Sequence, residues 1–176
     1  APLGEGLKST KTAGERAPAE LIVNGDFAAA LVNPPWSWEV LSATALVAGG
    51  VSGNCAQVAN YDDSPGYLAQ SFATEAGRVY KLQVYFKKGT SDGGIIMVGT
   101  SLDPAFNQDW NIYGSPTYAD AAWTLKTVYF AAVGSTTWVK LRNGDLTAPK
   151  NSLWDGLSVQ AVYDPMSNSN FMNGDL

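Results

Sequence analysis

At 176 residues the chain is long enough for one domain with a full core and too short for two comfortable ones. Only 15% of the residues are charged and the net charge is −5, which argues against nucleic acid as the main partner, because phosphate neutralisation needs a basic surface. The chain holds no histidine, which removes the commonest general base and neutral metal ligand along with every Ser–His or Cys–His nucleophile arrangement, so an enzyme is not expected.

The single Cys55 allows neither an internal disulfide nor a thiolate zinc site, and its small neighbours suit buried packing. No apolar run approaches the length of a membrane span, so no membrane partner is expected. No charged-then-apolar leader opens the chain; the expectation is that a signal has been removed or that export takes another route.

Residues 1–20 have almost no large apolar side chains and no period, and read as an extended arm or linker. At Leu21 the character changes: LIVNGDF predicts a short strand ending in the Asn24-Gly25-Asp26 turn. Pro34-Pro35 then breaks the chain before residues 36–40, an alternating strand with Trp36 and Trp38 on one side. Residues 44–47 and 55–58 are further short strands separated by glycines, and residues 60–66 form a polar loop.

The clearest signal is residues 67–88, two strands joined by a tight turn at Glu75-Ala76-Gly77. In the second of them Tyr80, Leu82, Val84 and Phe86 alternate with Lys81, Gln83, Tyr85 and Lys87, the period of a half-buried strand. An apolar run over residues 95–100 follows. Residues 101–122 then form a long irregular segment carrying Trp110 and Tyr113, and loops of this length are commonly functional or mobile. Residues 123–132 and 136–142 are two strands joined at Val133-Gly134-Ser135, and residues 153–162 are the last strand. The tail, residues 164–176, is polar again and repeats an Asn-Gly-Asp turn; reuse of a common tripeptide accounts for the echo as well as a second module would. The expected fold is therefore all-β: a single jelly-roll β-sandwich of roughly eight to ten antiparallel strands over residues 21–163, with extended N- and C-terminal arms.

The order LIVNGDF, a Trp-rich strand, AQSFATEAGRVYKLQVYFK, WTLKTVYFAA and a closing LWDGLSV resembles the jelly-roll carbohydrate-binding modules of the family 4, 9, 16 and 22 kind. The central signature is carried by Gln70, Phe72, Gly77, Tyr80 and Lys87, and the likeness spans residues 21–163. The resemblance implies a non-catalytic domain that binds glycans on a sheet face or at loop tips. It also implies a structural calcium ion drawing on the first strand and on an acid entering the last strand, for which Asp26 and Asp155 are the candidates. Two departures stand out: Ala28 where the family often has Glu, and Trp154-Asp155-Gly156 where two successive acids are common. Turn formation at strand ends accounts for both aspartates equally well.

Aromatic rings matter to sugars because pyranose C–H faces pack on them while amides and acids bond the hydroxyls. Trp36, Trp38, Trp110 and Tyr113 are the platform candidates, with Gln70, Gln83 and Tyr85 as polar partners. The alternative is that one of Trp36 and Trp38 plugs the core while Trp110 and Tyr113 pin their own loop. Alternation also turns Trp138, Lys140 and Arg142 outward, and a Trp on an outward face calls for a ligand or a protein partner. Similar domains occur in phage tail and capsid-surface proteins. With two low-complexity arms suited to threading between neighbouring subunits, the expected setting is a phage virion surface, as capsid decoration or tail protein. The alternative is an extracellular module of a secreted polysaccharide-degrading enzyme.

Overall fold

The computed structural model describes residues 18–38, 44–60, 65–102, 110–144 and 149–162. Residues 1–17 of the first arm, the whole tail (residues 164–176) and the end of the Trp-rich segment at residues 39–43 lie outside the described residues. Among the described residues there are ten strands: β1 (Trp36–Trp38), β2 (Ala45–Ala48), β3 (Asn54–Ala59), β4 (Tyr67–Ala73), β5 (Val79–Lys87), β6 (Gly94–Gly99), β7 (Tyr113–Gly114), β8 (Thr124–Ala131), β9 (Thr136–Asn143) and β10 (Asn151–Ala161). They form two five-stranded antiparallel sheets, β1-β4-β9-β6-β7 and β2-β3-β10-β5-β8, and no helix occurs among the described residues. The all-β sandwich anticipated from the alternation is the fold.

The core lies between the sheets and is built from their inward rows. On β5, Tyr80, Leu82, Val84 and Phe86 are buried while Lys81, Gln83, Tyr85 and Lys87 are half-buried on the opposite face. Opposite-facing side chains at every second residue are the direct outcome of the pleat. Phe86 packs against Trp154 with ring centroids 4.7 Å apart, Tyr80 stacks on Phe130 at 5.7 Å, and Phe27 meets Trp36 at 5.5 Å, all within the favourable range for aromatic pairs.

β10 does not alternate evenly. Trp154, Leu157 and Val159 are buried, and the register with β5 shifts between Asp155 and Ser158. Gly156, at φ 59°, supplies the left-handed residue of this bulge, which glycine adopts without the Cβ penalty. The extra residue lets Trp154 and Leu157 both face the core while Asp155 is turned outward.

The expected strand at LIVNGDF is not one. Residues 23–26 are bends and turns, with Asn24 and Phe27 at φ 55° and 52°. The segment nevertheless runs beside the second half of β10, beyond the reach of β3. Leu21 N donates to Val159 O at 3.0 Å, and Leu157 N to Gly25 O at 2.8 Å. Between those two bonds Val159 N donates to the Glu20 carboxylate at 2.8 Å, so a side chain takes the place of a ladder carbonyl. The turn geometry of Asn-Gly-Asp interrupts pairing where the strand pattern alone would continue it.

Candidate ligand-binding face and the cleft beside the last strand

The outer face of the first sheet follows from its register. β9 buries Thr137, Val139 and Leu141, so Trp138, Lys140 and Arg142 point away from the core. Pairing then places Ser37, Ala69, Lys140, Met97 and Gly114 in one row across the five strands. Tyr67, Arg142 and Ile95 form the row on one side, and Ser71, Trp138 and Gly99 the row on the other.

Exposure along the middle row is unexpectedly low. Ala69 is 0%, Lys140 2% and Met97 3% exposed, although all three point away from the sandwich core. Ala69, Ser71 and Gly99, all small, alternate on this face with the larger Tyr67, Lys140 and Trp138. The Lys140 ammonium sits 4.4 Å above the Tyr67 ring, within cation–π range. At the far end Trp110, 51% exposed, stands over β7: a Cβ on Gly114 would lie 3.2 Å from its ring. Asn111 holds that corner by accepting from Thr100 N at 3.0 Å and donating to Thr100 Oγ1 at 2.9 Å. Tyr67, Trp138 and Trp110 are thus three aromatic side chains on one face.

The residues singled out from sequence divide among three places. Trp36 is fully buried and packs on Phe27, so it is a core residue and offers no platform; Trp38, also inward on β1, packs against the same core. Gln70 is 1% exposed and clamps the first segment, accepting from Val23 N at 2.8 Å and donating to Val23 O at 3.0 Å. Both ends of its amide are taken by backbone, which replaces the ligand contact expected of it. Tyr113 pairs with Val98 and packs against the core, where burial first and then the neighbouring Tyr118 hydroxyl push its phenol pKa up. Gln83 and Tyr85 do point outward, but from the second sheet, where Gln83 donates to Thr127 at 3.2 Å. Of the seven, only Trp110 lies on the outer face of the first sheet. Tyr67 was not singled out, and its signal was its place two residues before Ala69 on the outward side of β4.

Asp26 and Asp155 are brought together, as the expected neighbourhood of the first and last segments requires. They line one cleft of about 450 Å3 with Ala28, Tyr85 and the β2–β3 turn. Asp155 is 3% exposed. Its Oδ2 accepts from Val51 N at 2.7 Å and Ser52 N at 3.2 Å, and its Oδ1 from Gly156 N at 2.7 Å. Asp26 is exposed and accepts from Ala28 N at 3.3 Å. Calcium takes about six to eight oxygen ligands, typically several of them carboxylates. Two carboxylates, one of them already engaged by amides, with a methyl group at Ala28, do not fit that ion. Among the described residues no group of three or more acids, cysteines or histidines gathers anywhere.

No family model matches the chain, and no curated protein matches it. Solved structures do. The CBM22-1 xylan-binding domain from Paenibacillus barcinonensis superposes with a TM-score of 0.63 at 13% identity, covering 86% of this chain and 99% of that one. A family 4 carbohydrate-binding module gives 0.61 at 18% identity, covering 80% and 99%. The fold is that of the jelly-roll carbohydrate-binding modules. It also occurs within larger and catalytic proteins. The enzymatically active domain of a bacteriophage CBA120 tailspike matches at 0.58 and 10% identity over 81% of this chain and 21% of that one. A cyclase from Fischerella sp. TAU matches at 0.57 and 16% over 83% and 98%.

Proposed function

We propose that the outer face of the first sheet binds a glycan. The observation that carries this reading is the grouping of Tyr67, Trp138 and the half-exposed Trp110 on this one face. The aromatic side chains offer apolar planes to pyranose C–H faces, and the Ser71 hydroxyl lies on the same face to bond a sugar hydroxyl. The second sheet supports the idea less well. Its outward Tyr129 and Leu125 are exposed, as surface apolar residues often are.

A glycan array followed by titration calorimetry tests the reading. Trp138→Ala and Trp110→Ala should each weaken binding by about tenfold or more, the ratio that 1.4 kcal/mol produces. Tyr129→Ala, on the opposite sheet, should leave it unchanged. Loss in the Tyr129 variant with retention in the Trp138 variant would move the site to the other face.

The role is one of binding, without catalysis, in a protein that acts outside the cell. Display on a phage particle is the setting we favour, supported by the two polar arms and by the occurrence of the fold in a tailspike. Attachment to a polysaccharide-degrading enzyme is the alternative. Mass photometry of the full chain separates them: assembly with itself supports a subunit whose arms contact neighbours, and a monomer at every concentration supports a tethered module.

A further inference from the structure

We infer that the seam between the first segment, the β2–β3 turn and the last strand is closed by carboxylates bound to backbone amides, in place of a calcium ion, and that the domain is indifferent to calcium. Three observations converge. The Asp155 carboxylate, almost fully buried, receives the N–H groups of Val51, Ser52 and Gly156. Each amide aims the positive end of its dipole at the carboxylate, so the donors compensate the buried charge as a cation otherwise would. A divalent ion placed against these oxygens would meet those same positive ends.

Space points the same way. A Cβ on Gly50 would lie 2.6 Å from Asp155 Oδ2 and 2.5 Å from Asn54 O. The backbone of the turn therefore occupies the ground next to the carboxylate, and Trp123 tethers that turn by donating from Nε1 to Gly49 O at 3.2 Å. On the opposite wall Ala28 brings a methyl group where a further oxygen would be needed.

Glu20, another acid at the seam, is used in the same manner. Glu20 Oε1 accepts from Leu21 N and Ile22 N, both at 3.0 Å, and from Val159 N at 2.8 Å, while its Oε2 accepts from Ser158 Oγ at 2.5 Å. The first segment is thus joined to β10 by one carboxylate, and the β2–β3 turn by another. Each is bound by protein donors.

Thermal unfolding of the full chain in calcium and in chelator, with a calcium titration by calorimetry, tests this. Anything that binds the folded state alone raises its melting point, so a calcium site would separate the two curves. The expected result is superimposable curves and no saturable heat. Asp155→Asn should melt lower than wild type by the same interval in calcium as in chelator, because it loses a charged acceptor that no ion was sharing. Should that variant fail to fold, Glu20→Gln gives the same readout from a more exposed position. A wild-type melting point that rises with calcium, or a saturable calcium heat abolished in the Asp155 variant, overturns the inference.

Discussion

A single side chain, Gln70, shows how a polar residue in a binding-module signature can be wholly structural. It faces the core from β4, and its amide meets both the N–H and the C=O of Val23. Removing it leaves two backbone groups without their partner in a place where water does not easily substitute. Gln70→Ala should therefore cost about 1–3 kcal/mol, the penalty for stranding buried polar groups, read as a lower urea midpoint. Glycan binding per folded molecule should not change, since the amide is on the far side of the sheet from Trp138. Cys55 is the second residue with a clear expectation. Burial first, and then the nearby Asp155 charge, push its thiol pKa up against a smaller opposing influence of Lys87. The native protein should thus react slowly with thiol reagents at neutral pH and rapidly once unfolded, because only the thiolate attacks.

Among the elements, β8 is the long outer strand of the second sheet and the one with most need of protection against pairing with another chain. Lys126 pairs with Val84 and so points to the inner side of this strand. There it reaches Asp120 at 2.6 Å and lies 4.4 Å over the Tyr118 ring. An inward charge on an edge strand disfavours addition of a further strand, so Lys126→Val should raise turbidity on heating relative to wild type. The same pair has a pH signature. The hydrogen bond from Lys126 is the main cause holding the Asp120 carboxyl below its ordinary value of 3.8. A depressed carboxyl contributes stability that is complete above that ordinary value and disappears as pH falls below it. Acid unfolding of Asp120→Asn should accordingly be less steep than that of wild type in this range, the two converging at the lowest pH.

Over the whole molecule, the alternation on β5 was legible residue by residue, because one face of that strand is in the core and the other is not. The Tyr-led strand, the turn at Gly77 and the outward set on β9 could be read for the same reason. Chemistry of the missing histidine likewise needed only composition. Two things could not be read locally. The period of two says that Gln83, Tyr85, Trp138 and Lys140 all point outward, but the two strands belong to different sheets, so their outward faces lie on opposite sides of the sandwich. Which strands share a sheet depends on hydrogen bonds between segments far apart in the chain, such as Ala69 with Lys140, and a local pattern carries no record of them. The bulge at Gly156 is the second. It adds one residue between Trp154 and Leu157 and turns Asp155 toward the β2–β3 turn, a hundred residues earlier, whose amides bind it. Local side-chain alternation and composition thus determined the class of fold and most of its strands. Only the tertiary structure decided which aromatics form a face, and that the acid of the last strand is met by amides, because both depend on contacts between distant segments.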